Sequence, residues 1–441
     1  MYSVGLYTLG CKVSQYETEA VGEAFSERGF AVRPFTEPCD VYVINTCTVT
    51  RESDRKSRQF IRRAVKANPS AVVIVIGCYS QRAPEEVASL EGVSAVIGTE
   101  FKMTAPDVAE RMLSEREAGI IPEKYILTTD VTKATFEPMT VKRAPRTRAY
   151  VKIEDGCESK CTYCAISGAR GRVRSKPAED VIREVEALYE SGTKEIVLTG
   201  IETGSYGRDF DEKYGLADLI CELDARKSCE RLRLGSLAPE LINKSFVTRV
   251  KNSTILCPHF HLSLQSGSNA VLGRMKRRYS REMAMSVIDN IRANIDGATF
   301  TTDLMVGFPG ETEEDFLLTV DFVKRARFLD AHVFAYSKRD GTPAATYPDQ
   351  IPEEIKRERS ETLIRVKNSV RDGLLSEIAS ENSELVAIAE SRDGENVWSA
   401  HTASFIEVSF KCDAEISGEF VKLRPVSVKN GIIYCELIKK I

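Results

Sequence analysis

Three cysteines, Cys157, Cys161 and Cys164, form a C-x3-C-x2-C pattern within the stretch YVKIEDGCESKCTYCAISGARGRVRS. A structural zinc site takes four ligands, usually in two pairs. Here three thiols crowd into eight residues, with no nearby histidine or fourth cysteine. A [4Fe–4S] cube held by three thiolates keeps one iron free of protein ligands, and that iron can take a small chelating molecule. One short loop suffices to wrap three corners of such a cube. Tyr163, the aromatic directly before the last cysteine, is placed to pack against it. The alternative is a set of ordinary core thiols.

A second set, Cys11, Cys47 and Cys78, is spread over separate segments, 36 and 31 residues apart. Their contexts repeat: SVGLYTLG, VYVINT and AVVIVIG each lead into the cysteine. Each is a short β-branched run, and each is followed by a helical pattern. Residues 14–28 carry Ala20, Val21, Ala24 and Phe25 on one stripe, and residues 51–67 carry Phe60, Ile61, Ala64 and Val65. Residues 84–90 begin with Pro84, a favoured first helical residue. The pattern predicts βαβαβα with a parallel sheet, with all three thiols beyond the carboxyl ends of strands, where open α/β sheets bind ligands. Three loops converging three thiolates on one point suggest a second three-cysteine cluster. The other six cysteines, Cys39, Cys221, Cys229, Cys257, Cys412 and Cys435, share no setting and read as small buried hydrophobes.

The elements that carry these loops fall into three parts. Residues 1–135 form an open parallel α/β domain, which adds a strand at Val93–Gly98 and a helix near 104–115. The stretch 132–148, TKATFEPMTVKRAPRTR, is polar and basic with two prolines, and reads as a linker. Residues 149–380 form the central part, in which 149–345 alternate strand and helix, with strands at Tyr150–Ile153, Glu195–Leu198, Leu232–Gly235, Phe260–Leu264, Phe300–Val306 and His332–Ala335. Six such units predict a partial (β/α)6 barrel, with its site at the carboxyl ends of the strands and the cysteine triplet after the first. Residues 350–381 read as a long charged connecting helix. Residues 381–441 alternate as in a small antiparallel β-barrel.

The 441 residues carry 12 cysteines but only 4 histidines, which favours sulfur-rich sites over histidine-based ones. With 61 Lys and Arg against 65 Asp and Glu, the net charge of −4 excludes a uniformly basic nucleic-acid coat. No basic segment followed by an apolar one opens the chain, and no apolar run approaches the roughly 18 residues of a membrane span. The expectation is a cytoplasmic chain with reduced thiols and no membrane partner.

On the C-x3-C-x2-C motif and its aromatic, the sequence resembles the radical S-adenosylmethionine (SAM) enzymes. That resemblance implies that the open iron binds SAM and that electron transfer cleaves it to methionine and a 5′-deoxyadenosyl radical. Over essentially the whole chain, the two cysteine sets plus VINTCTVT, VLTGIETGSYG, HFHLSLQSGSNAVLGRMKRRYS, DLMVGFPGETEEDF and FAYSKRDGTPAA resemble the methylthiotransferases. INTCTVT and YSKRDGTPAA are most similar to the tRNA enzymes of the MtaB type, which add a 2-methylthio group to N6-threonylcarbamoyladenosine beside the anticodon. The resemblance implies two [4Fe–4S] clusters, the radical one on Cys157, Cys161 and Cys164 and a sulfur-carrying one on Cys11, Cys47 and Cys78. It also implies SAM contacts at Thr199, Gly200, Ser236 and Gln265, and a C-terminal RNA-binding TRAM barrel. The expected partners are the tRNA anticodon stem-loop, an electron donor and a sulfur source. Departures from the family pattern are Glu202 in place of a histidine, Leu237-Ala238-Pro239 without an acidic residue, and Ser167-Gly168 in place of a Pro-aromatic pair.

RNA affinity is largely phosphate neutralisation by Lys and Arg. Four basic runs lie near the predicted rim: Arg51 to Lys66, then Lys142, Arg143, Arg146 and Arg148, then Arg170, Arg172, Arg174 and Lys176, then Arg274 to Arg281. Residues 382–441 hold seven Lys and Arg against nine Asp and Glu, unusual for an RNA-binding barrel unless Lys422, Arg424 and Lys429 share a face. The alternatives are a methylthiotransferase acting on N6-isopentenyladenosine tRNA or on a ribosomal protein, and, in a different class, a non-catalytic Fe–S carrier or RNA-binding scaffold.

Overall fold

The computed structural model describes residues 1–144, 147–381, 383–394 and 396–441. The first part is a six-stranded, all-parallel sheet. Its spatial order is Ala31–Arg33, Ser3–Thr8, Val41–Thr46, Val72–Gly77, Val93–Ile97, Tyr125–Leu127. The strands Val41–Thr46 and Val72–Gly77 are wholly buried, which is why they read as continuous apolar runs rather than alternating ones. The chain order reverses between Ser3–Thr8 and Val41–Thr46, a switch point that opens a crevice at their carboxyl ends. The edge strands Ala31–Arg33 and Tyr125–Leu127, three residues each, are too short to show a period and are absent from the sequence expectation.

The stretch 132–148 is not a free tether. Ala134, Met139 and Val141 are buried, and the Met139 carbonyl accepts from Tyr16 Oη at 2.7 Å and Lys176 Nζ at 2.8 Å. The backbone N–H groups of Lys142 and Arg143 donate to the Glu23 carboxylate. Its few apolar residues find seats between the two flanking parts, which outweighs its proline and basic content. Arg146 lies outside the described residues.

The central part has six parallel strand positions in two hydrogen-bonded sheets. One holds Arg148–Lys152, Glu195–Thr199 and Arg231–Leu234; the other holds Ser236–Leu237, His259–Gln265, Thr299–Val306 and Asp330–Ala335. The third position passes from one sheet to the other at Gly235, where a Cβ would meet Thr203 Oγ1 at 2.7 Å. This is the expected partial barrel, with its helices outside. Phe260, Leu262 and Leu264 face those helices, while His259 and His261 face the lumen.

The C-terminal strands Leu385–Asp393, Val397–Thr402, Glu407–Lys411, Phe420–Lys429 and Ile432–Lys440 close into a barrel. It is not wholly antiparallel, because Glu407–Lys411 pairs in parallel with Ile432–Lys440. Five strands cannot alternate direction all the way round a closed ring, so one parallel pair is required. The helix Glu353–Ser380 leads into it, with Leu363 in the core of the central part and Leu375 in that of the C-terminal barrel.

This barrel seals the amino-terminal end of the lumen. Phe405 stacks on His259 at 4.6 Å and His401 at 4.9 Å, with the Arg233 guanidinium 4.9 Å from its ring centre. Arg231 Nη2 donates to the Val386 carbonyl and Arg233 Nη1 to that of Ala403, each at 3.0 Å. Two carboxylates serve this floor: Glu195 accepts from Arg233 Nε at 2.9 Å and pairs with Arg148, and Glu390 pairs with Arg148 and His401. Removing one partner of a buried ion pair leaves the other charge uncompensated. Glu195→Gln is therefore expected to cost about 3–5 kcal/mol. A urea titration read on the single tryptophan, the buried Trp398 of the adjoining barrel, checks this through a lower unfolding midpoint; an unchanged midpoint contradicts it.

Candidate functional site

The three loop cysteines of the first part sit on one rim. Cys11 is the exposed N-cap of the helix Lys12–Glu27, and a Cβ on Gly10 would lie 3.3 Å from Cys47 Cβ. Asn45 Nδ2 donates to the Ser14 carbonyl at 3.0 Å, tying the strand that delivers Cys47 to the helix that follows Cys11. Cys78 opens a short helix after Gly77, whose φ of +99° and closeness to Asn45 Oδ1 admit no side chain. Burial and the charges of Cys78 and Cys11 push the Cys47 thiol up to about 11. Burial also raises Cys78, against the opposing pull of Arg170.

The other triplet follows the strand Glu154–Asp155. Gly156, at φ +92°, fits only because it has no Cβ, which would lie 1.9 Å from the Arg172 carbonyl. Arg277 Nη1 donates to Cys161 Sγ at 3.3 Å, and the Ile166 N–H to Cys164 Sγ at 3.4 Å. Burial pushes Cys164 up to about 12, and the charges of Cys161 and Cys157 add to the rise. Thr162 is laced to Met275 and Ala344 through its backbone.

The thiols of each set thus lie within each other's electrostatic reach. Among the described residues, no three His, Cys, Asp or Glu side chains converge on a single metal-ion position. The donor set itself, three thiols in each group, suits an iron–sulfur cube with one iron left free of protein ligands. Burial raises the thiols of Cys47, Cys78, Cys157 and Cys164, and cluster binding must displace their protons.

Tyr163 packs edge-on against Phe308 at 6.4 Å, which brings the VGFPGE stretch beside the triplet. Thr199 is buried at the end of its strand, and a Cβ on Gly200 would meet Glu154 Oε2 at 2.5 Å. Ser236 is half-buried, opposite His261. Gln265 is buried at φ +68°, with Oε1 lacking a hydrogen-bond partner. Glu154 Oε1 is likewise buried without one. Glu202 accepts from the Ala238 N–H at 3.0 Å, so two departures from the family pattern meet. Burial pushes Glu202 up to about 7.

One basic run is not a nucleic-acid surface. Arg170, Arg174 and Lys176 are buried and paired with carboxylates, leaving Arg172 exposed. Arg274 and Arg277 are held by Asp315 and Cys161, leaving Lys276 and Arg278 exposed. In the first run Arg51, Arg55, Lys56, Arg62, Arg63 and Lys66 remain exposed. In the C-terminal barrel Lys422 pairs with Glu384 and stands opposite Lys439, and Arg424 adds to the same field. Of the six remaining cysteines, Cys39, Cys229 and Cys257 are buried as expected, whereas Cys221, Cys412 and Cys435 are partly exposed.

The sequence reading missed the charges between the two cysteine sets. Glu17, wholly buried, accepts from Arg170 Nη1 at 2.7 Å and Lys152 Nζ at 2.9 Å. Asp155 accepts from the same two side chains. Arg170 and Lys102 hold Glu17 well below the usual carboxylate range despite its burial. The signal was present: Glu17 falls on the apolar stripe of its helix, three and four residues before Ala20 and Val21. Arg339, also buried, pairs with Asp54 at 2.7 Å and with Thr48, fixing the loop after Cys47 to the loop after the last strand of the central barrel.

The Radical SAM superfamily matches residues 151–323, and Uncharacterized protein family UPF0004 matches residues 3–98. Threonylcarbamoyladenosine tRNA methylthiotransferase MtaB of Bacillus subtilis (strain 168) is 40% identical over 99% of this chain and 96% of its own length. The tRNA-2-methylthio-N(6)-dimethylallyladenosine synthase of Thermoanaerobacter pseudethanolicus is 33% identical over 98% of this chain and 92% of its own. The radical SAM methyltransferase TsrM of Kitasatospora setae, solved with cobalamin and a [4Fe-4S] cluster, superposes with a TM-score of 0.55 at 15% identity, over 78% of this chain and 77% of its own, which shows a shared fold. On sequence covering nearly its whole length, the chain belongs to the radical SAM tRNA methylthiotransferases.

Proposed function

We propose that the chain places a methylthio group on C2 of N6-threonylcarbamoyladenosine beside the anticodon of tRNA, in the cytoplasm. The observation that carries this reading is the pairing of two three-thiol sets. One is a loop at the mouth of a partial barrel, and the other is drawn from three loops of the adjoining sheet. When bound, two [4Fe–4S] clusters with SAM supply the radical that removes the C2 hydrogen and the sulfur that replaces it.

The side chains have narrower tasks. Cys157, Cys161 and Cys164 hold the first cluster, with Arg277 and the Ile166 N–H donating to its sulfurs. Cys11, Cys47 and Cys78 hold the second. Tyr163 and Phe308 wall the first against water. Thr199, Gly200, Ser236 and Gln265 contact SAM, and the partnerless oxygens of Gln265 and Glu154 offer acceptors to its donors. The sealed floor keeps the lumen closed at its far end, so substrate enters from the rim.

Two features favour threonylcarbamoyladenosine. The relative bearing that name is more similar than the dimethylallyladenosine synthase. Lys12, next to Cys11, is exposed, lies within electrostatic reach of Arg148, Arg233, His259 and Asp303, and makes no ion pair among the described residues. A threonylcarbamoyl group carries a carboxylate that suits this ammonium, and a dimethylallyl group carries none. The exposed basic face of the helix Arg51–Ala67, beside Cys47, suits the phosphates of an anticodon stem-loop.

Anaerobically reconstituted protein is expected to hold about eight irons per chain, and the Cys157→Ala, Cys161→Ala, Cys164→Ala protein about four. Cys47→Ala is expected to release 5′-deoxyadenosine yet form no methylthio product; loss of SAM cleavage with the first cluster intact contradicts the division of roles. Mass spectrometry of nucleosides from a deletion strain lacking a redundant enzyme is expected to show threonylcarbamoyladenosine without its 2-methylthio form. Persistence of that form rules out the proposed substrate.

A further inference from the structure

Each cysteine set receives one arginine N–H on one sulfur. Arg277 donates to Cys161 from within the central barrel. Arg170 does something different. It ends the short helix Ile166–Arg170 that directly follows Cys164, and its Nε donates to Cys78 Sγ, at 3.3 Å, in the other set. The guanidinium is fully buried and held on its far side by two carboxylates. Nη1 reaches Glu17 and Asp155, at 2.7 and 3.0 Å, and Nη2 reaches the second oxygen of Glu17 at 3.2 Å. Its own backbone is pinned as well, because the Arg170 carbonyl accepts from Arg174 Nη1 at 2.6 Å and that of Ala169 from Thr99 Oγ1 at 2.8 Å. One planar fork thus touches both parts of the molecule and a proposed cluster ligand at once, which the single ammonium of lysine does not reproduce.

We propose that Arg170 is a positioning residue: it aims Cys78 and raises the reduction potential of the cluster held by Cys11, Cys47 and Cys78, while fixing that cluster relative to the loop of the radical cluster. This rests on the two-cluster reading above. A hydrogen bond or positive charge at a ligand sulfur stabilises the more negative, reduced state, so its removal lowers the potential. Charge and hydrogen bond act together here, because Glu17 and Asp155 are shared with Lys102, Lys152 and Arg174 and do not neutralise the guanidinium alone.

Two measurements test this on the full-length protein. First, Arg170→Lys and Arg277→Lys are titrated by EPR-monitored reduction after anaerobic reconstitution. Arg170→Lys is expected to lower only the potential of the cluster that survives in the Cys157→Ala, Cys161→Ala, Cys164→Ala protein, and to reduce methylthio insertion about tenfold or more. Arg277→Lys is expected to move only the other potential. Unchanged potentials in Arg170→Lys with both clusters present overturn the proposal, and loss of only the second cluster supports the aiming of Cys78. Second, [15N]arginine is incorporated into the otherwise unaltered triple-alanine protein, which does not depend on how an Arg170 variant folds. Pulsed EPR of its reduced cluster is expected to show a 15N coupling, and its absence overturns the proposal. An unsubstituted protein that binds only about four irons instead contradicts the two-cluster reading itself.

Discussion

The carboxylate of Glu17 is the constraint on which the rest of the site depends. An ionised carboxylate removed from water costs several kcal/mol unless it is paired and hydrogen-bonded. Glu17 is wholly buried, and two of its three cationic partners lie outside its own domain: Arg170 and Lys152 belong to the central barrel, while Lys102 follows the strand Val93–Ile97 of the first sheet. The helix that follows Cys11 therefore has one low-energy placement, with Glu17 among these cations. That placement fixes where the rim carrying Cys11, Cys47 and Cys78 stands relative to the loop of Cys157, Cys161 and Cys164. Asp155, two residues before the first cysteine of that loop, shares Arg170 and Lys152 with Glu17, so the network is anchored at the base of both sets.

The lumen next to this network differs from that of a complete eight-stranded barrel, whose interior is packed with branched apolar side chains. Here the inward positions include Arg148, Glu195, Arg233, His259, His261, Thr301 and Asp303, polar groups that bond to one another and to the floor. Burial and Arg233 keep His259 well below its usual pKa, so it stays neutral where it stacks on Phe405. A polar lumen closed at one end leaves room near the carboxyl ends of the strands, where the cysteine loops lie.

Much of this was legible in the sequence because local patterning and tertiary structure agree. The β-branched runs before Cys11, Cys47 and Cys78 form the strands they suggest, and the six strand positions of the central barrel match within a residue or two at each end. Three things were not legible. The fate of a basic run depends on what packs above it: Arg170 and Arg174 look like surface cations in sequence but meet Asp155, a partner fifteen or more residues away. The stretch 132–148 has a linker's composition, yet two apolar residues at its centre suffice to seat it. The parallel pair in the C-terminal barrel follows from ring closure with five strands, a property of the whole ring that no single segment carries.

The helix Glu353–Ser380 has one end in the hydrophobic core of the central barrel and the other in that of the C-terminal barrel. Its 28 residues span about 42 Å. Clamped at both ends, such a rod behaves as a ruler rather than a hinge. The C-terminal barrel and the central barrel thus keep a set spacing, and a surface on one stands at a fixed distance from a surface on the other.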